Sequence, residues 1–97
     1  LRIRRPIMGM AGVQFKIMPE SAETNLDEIV KSATSKIEEL GGKVSSSEEV
    51  PIAFGLKSIT LTLAYPEEKE VDNVGNALNE IENVSSAEMI DYRRALG

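Results

Sequence analysis

Ninety-seven residues, 41% of them hydrophobic, are enough for one domain with a single core and too few for two of ordinary size. The chain has neither cysteine nor histidine, which removes disulfides, thiolate nucleophiles, imidazole acid–base chemistry, the usual catalytic triads and zinc sites built on those ligands. The formal net charge is −5, and three of the eleven Lys and Arg residues (Arg2, Arg4, Arg5) fall within residues 1–9, so residues 10–97 set eight basic groups against sixteen acidic ones, a charge of −8. A body that acidic repels phosphate backbones and anionic lipid, so neither nucleic acid nor a membrane is the expected partner.

No stretch has the length of a membrane-spanning helix, and the absence of cysteine suits a reducing compartment. Leu1-Arg2-Ile3-Arg4-Arg5-Pro6 is basic without the apolar centre of a secretory signal. Residues 1–9 read as an extension ahead of the domain, with Met8 and Met10 as candidate natural starts.

The first element is a strand: Val13, Phe15 and Ile17 alternate with Gln14, Lys16 and Met18, and Pro19 ends the run. Asn25, with Glu28 three residues on, marks the start of a helix whose buried face is Leu26, Ile29, Val30, Ala33, Ile37 and Leu40. Gly41-Gly42 stops it as a C-cap. Lys43 to Glu49 has Val44 as its only apolar residue and predicts an irregular, edge-like second strand.

Val50-Pro51-Ile52-Ala53-Phe54-Gly55-Leu56-Lys57 reads as a loop far more apolar than a solvated connection requires. It runs into a third strand, in which Ile59, Leu61, Leu63 and Tyr65 share one face and Ser58, Thr60, Thr62 and Ala64 the other. After the charged turn from Pro66 to Glu70 comes a second helix with a stripe of Val71, Val74, Leu78 and Ile81, with Asn83 as its cap. Gly75 costs this helix about 1 kcal/mol against alanine unless close packing needs it. Val84 to Tyr92 is the fourth strand, with Ala87 and Met89 alternating with Glu88 and Ile90, and Arg93-Arg94 begins a tail.

Strand, helix, strand, strand, helix, strand is the order of an α+β, ferredoxin-like βαββαβ sandwich. Strands one and three are then central, and both helices pack on one face. The fold hosts many functions and names none. Glu67, Glu68, Glu70 and Asp72 are consecutive on a turn and a helix start, and read as a solvated acidic face rather than a metal cluster. RNA readers of this fold use aromatics on the open sheet face, where this sequence offers Lys16 and Lys57 without an aromatic pair. Composition and spacing leave two features open: the loop around Phe54 is a plug over the core edge or a docking surface, and Arg93-Arg94 is a solubilising end or a functional one.

Met18-Pro19-Glu20-Ser21, Asn25-Leu26, the segment Val50 to Lys57 and Ile90-Asp91-Tyr92-Arg93-Arg94, in this order and spacing, resemble the elongation factor 1-beta family in its short archaeal form, over residues 10–97. The Pro51-Ile52-Ala53-Phe54-Gly55-Leu56 segment is the most specific part. The resemblance implies guanine nucleotide exchange: a cytoplasmic, non-enzymatic domain that binds elongation factor 1-alpha with its Mg²⁺-bound nucleotide, promotes GDP release and lets GTP load during translation elongation. It needs no cofactor of its own.

The resemblance also implies roles for single residues. Phe54 matches the family's loop aromatic, which contacts a second domain of the G protein, and Ile52, Gly55 and Lys57 flank it. Tyr92 belongs to the matched C-terminal segment. The family's C-terminal lysine, which reaches the magnesium and phosphate region, is matched by Arg94, with Arg93 beside it. Arginine keeps the charge, but its planar fork enters a metal site less compactly than an ammonium, and Leu96 and Gly97 extend beyond it. The rival reading is a small-molecule-binding regulatory domain of the same fold, for which the sequence supplies no ligand signature.

Overall fold

The computed structural model describes residues 9–94. The elements are β1 (Met10–Pro19), α1 (Leu26–Glu39), β2 (Lys43–Pro51), β3 (Lys57–Pro66), α2 (Asp72–Asn79) and β4 (Val84–Arg94). They form one antiparallel sheet in the order β2-β3-β1-β4, so the two most apolar strands are central, as the sequence predicts. The β1–β3 ladder runs from Met10 opposite Pro66 to Ile17 opposite Ile59. It sets Val13, Phe15 and Ile17 beside Leu63, Leu61 and Ile59, all buried on one face.

Both helices cover that face. Ile29, Ala33 and Ile37 of α1 and Val74 and Leu78 of α2 join the strand residues in one core, with Leu26, Val30 and Leu40 packed at its margin. Asn25 caps α1 through its side-chain oxygen, which accepts from the amides of Asp27 (3.0 Å) and Glu28 (3.4 Å). At the other end Gly41 (φ 99°) and Gly42 donate to Glu38 O and Ile37 O, the paired bonds of a Schellman motif. Lys69 adds a bond to Leu40 O at 2.8 Å, tying the turn before α2 to the end of α1.

Several boundaries differ from the sequence expectation. Val50 and Pro51 belong to β2, pairing with Ser58 and Lys57, so the loop is only Ile52 to Leu56. Proline is tolerated there because β2 is an edge strand and Pro51 is its last residue. Ser58 is consequently 2% exposed, under Val50. The second helix is shorter than its apolar stripe: Val71 is the N-cap and Ile81 is buried just past the C-cap Glu80. Asn83 does not cap it; it takes φ 72° at the turn into β4 and accepts from the Glu20 amide at 2.9 Å.

The fourth strand departs most. Its register against β1 shifts twice, leaving Ser85 and Ile90 as extra residues, so the alternation read from Ala87 to Ile90 breaks. Ala87 is buried, whereas Met89 and Ile90 are 44% and 48% exposed. Arg93 and Arg94 are not a tail but the end of this strand, opposite Gly12 and Ala11. The expectations for residues 1–8, Leu96 and Gly97 fall outside the described residues.

Two glycines have opposite reasons for being there. A Cβ on Gly42 would lie 2.9 Å from Ile37 Cγ2 and Tyr65 Cδ1 and 3.0 Å from the Ala64 carbonyl. On Gly75 its nearest neighbour would be the Phe15 ring at 3.4 Å, an ordinary contact. Gly42→Ala is therefore expected to destabilise by about 1–3 kcal/mol through overpacking. Gly75→Ala should stabilise by up to about 1 kcal/mol through helix propensity. Urea unfolding midpoints of the two variants, moving in opposite directions, check both.

Candidate functional site

The sequence-derived site residues separate into two groups at opposite ends of the sheet. Ile52, Phe54, Gly55 and Lys57 gather at the β2–β3 hairpin tip, beyond the Ile17–Ile59 end of the central ladder. Tyr92, Arg93 and Arg94 lie on β4 beside Val13, Gly12 and Ala11, at the other end of β1. With about 3.3 Å per strand residue, Arg94 and the level of Lys57 stand about 25 Å apart along the strands, and the tip extends further.

At the tip, the Leu56 amide donates to Ala53 O (3.1 Å) and the Ile52 amide to Leu56 O (2.8 Å). Both residues inside the turn have positive φ, 61° at Phe54 and 77° at Gly55, the pattern of a type I′ turn. Such turns prefer Asn-Gly. A bulky residue in the left-handed region costs about 1–3 kcal/mol, normally recovered through packing. Phe54 recovers none, because it is 96% exposed. Ile52 and Val50 add exposed apolar surface at its base, and Lys57 makes a loose ion pair with Glu49 at 3.8 Å. A cleft of about 420 Å³ runs beside the tip to the start of α1, past Ser21, Asn25 and Asp27.

The other end carries two adjacent arginines on β4. Successive strand residues point to opposite faces, so Arg93 and Arg94 cannot both face one target. Arg93 lies opposite exposed Gly12 on the open face, and its Nε donates to Asp91 Oδ2 at 3.1 Å. Arg94 lies opposite buried Ala11, on the helix side, exposed and with no carboxylate within 4 Å among the described residues. Tyr92 is half-buried against the core, so it supports this end more than it projects from it.

Sequence reasoning named these residues as candidates but missed the left-handed backbone at Phe54 and the Arg93–Asp91 pairing. An aromatic before glycine, where a hairpin favours Asn-Gly, is the one sequence signal for the first. Among the described residues no group of three or more acidic, His or Cys side chains could hold a metal ion, and no helix is long and apolar enough to cross a membrane.

Fold and surface together define a ferredoxin-like domain whose most prominent feature is a protruding aromatic tip. Comparison with known proteins gives that domain its family. The family described as the EF-1 guanine nucleotide exchange domain matches residues 12–94, and the chain belongs to it. An elongation factor 1-beta of Metallosphaera sedula is 37% identical over 84 residues, covering 84% of this chain and 91% of that protein. One from Saccharolobus solfataricus matches with the same identity and coverage, and one from Saccharolobus islandicus is 34% identical over the same length.

Because Phe54 is strained and buries nothing, Phe54→Asn should stabilise the isolated domain by about 1 kcal/mol, by supplying the turn's preferred residue. Thermal or urea unfolding of the two proteins gives the difference directly. An unchanged or lowered stability would mean that the ring or its backbone contributes to the fold.

Proposed function

We propose that the domain accelerates GDP release from elongation factor 1-alpha, so that GTP can load in the elongation cycle of cytoplasmic translation, by touching its partner at both ends of the sheet. The observation that carries this reading is the placement of a solvent-exposed aromatic and an exposed arginine at opposite ends of one rigid four-stranded sheet. Burying the Phe54 ring in an apolar pocket contributes about 1.5–3 kcal/mol and supplies much of the docking energy. Docking at that end fixes where the other end lies on the partner.

Arg94 then acts on the nucleotide site. A guanidinium set beside the partner's Mg²⁺ and phosphates repels the metal and competes for its anionic ligands, and loss of the metal uncovers phosphate charge and loosens GDP. No covalent bond changes. Linkage requires that nucleotide weaken the domain's binding by the factor by which the domain weakens nucleotide binding, about 1.4 kcal/mol for each tenfold. Arg93 is the lesser candidate, since it faces the open side of the sheet and engages Asp91.

Release of fluorescent GDP from elongation factor 1-alpha, followed against domain concentration with and without Mg²⁺, tests the division of labour. Phe54→Ala should raise the half-saturating concentration by roughly tenfold or more while approaching the normal maximal rate, as loss of an aromatic anchor does. Arg94→Ala should lower the maximal rate by roughly tenfold, an energy of about 1.4 kcal/mol, with a smaller change in half-saturation. A normal maximal rate for Arg94→Ala would remove its role, and no acceleration by the unmodified domain at saturation would remove the exchange function itself.

A further inference from the structure

Gly55 is not there to make room for a neighbour, because nothing crowds it. A Cβ built there meets only Ala22 Cβ, at 4.0 Å. What the position requires is its backbone angle, φ 77°, which follows directly on the 61° of Phe54. Two consecutive left-handed residues closed by the Ala53–Leu56 hydrogen bond define the turn, and its backbone sets the direction in which the Cα–Cβ bond of residue 54 leaves the tip. Packing does not place the ring, which is almost fully exposed, so the backbone of the turn alone determines where on the surface it is presented.

We propose that Gly55 is a positioning residue for partner recognition: it locks the hairpin tip in a left-handed turn that presents the Phe54 ring before the partner arrives. The inference rests on the docking role given to Phe54 above. A ring presented in advance spares the complex the cost of ordering a mobile loop on binding. Substituting a side chain that disfavours positive φ releases the turn and returns that cost to the binding step. The affinity of Gly55 variants then follows tolerance of the left-handed region rather than side-chain size, in the order Gly, Asn, Ala, Val. Asparagine is larger than alanine but far more at ease at positive φ, so volume and backbone make opposite predictions for this pair.

The test measures binding of Gly55→Asn, Gly55→Ala, Gly55→Val and Phe54→Ala to GDP-bound elongation factor 1-alpha, together with the maximal GDP release rate at saturating domain. In the free proteins, the amide-to-Hα nuclear Overhauser intensity within residue 54 reports whether φ stays positive. The expected result is a loss of affinity of about tenfold for Gly55→Val, recovered for the most part in Gly55→Asn, with the residue 54 signature weakened in the valine variant and kept in the asparagine variant. The maximal release rate should fall far less than the affinity. Gly55→Asn binding more weakly than Gly55→Ala, or Gly55→Val keeping normal affinity after losing the signature, would overturn the inference. If Phe54→Ala itself binds normally, the docking reading fails instead, so the two failures are distinguishable.

Discussion

The antiparallel ladder between β1 and β3 is the constraint on which everything else depends. Its inward residues are fully buried, and its two ends lead directly to the two features of interest. β3 continues backward into the β2–β3 hairpin that ends in Phe54, and β1 holds β4 in place as far as Arg94. The aromatic and the cation belong to one stiff body, and their separation is fixed by strand length. A loop and a free tail could vary that separation; a hairpin tip and a strand end cannot. This is why placing Arg94 in β4 changes the physical picture more than any other boundary: its backbone direction is set by pairing to Ala11.

The hairpin tip departs from what turn stability favours. The turn would be more comfortable with asparagine at position 54, and the domain instead holds an aromatic there, in a strained backbone and in water. Strain held by surrounding structure is a means of keeping a group in one direction until it is used. The opposite edge of the sheet is managed too, since β4 is an edge strand that would invite unwanted pairing. Asn79 fills part of that edge by bonding both the amide and the carbonyl of Ala87 (3.0 Å each), and the two bulges disrupt the rest.

Much of this was legible in the residues. The period-two runs of β1 and β3, the Asn25 cap and the Gly41-Gly42 stop are local chemistry, and local chemistry survives into the fold. What escaped was non-local or rule-breaking. An inserted residue such as Ile90 destroys the alternation from which a strand is recognised, and Val50-Pro51 resembles a loop until its partner Ser58-Lys57 is known. Arg93 and Arg94 read as a tail, either solubilising or functional, because charged residues after Tyr92 give no alternation from which to extend the strand, and their pairing with Gly12 and Ala11 is non-local. The candidate site residues came from family resemblance, whereas the left-handed turn at Phe54 contradicts that residue's own preferences, and only the backbone shows it.

The claim that one rigid body must engage the partner at both ends is tested most directly by mixing. Phe54→Ala and Arg94→Ala proteins, combined at concentrations that do not saturate elongation factor 1-alpha, each keep the end the other lacks. If both contacts must come from the same molecule, the mixture will release GDP no faster than the sum of the rates of the two variants measured separately, well below the unmodified rate. Recovery of the unmodified rate by the mixture would contradict the account, because it would show that the aromatic tip and the arginine act independently.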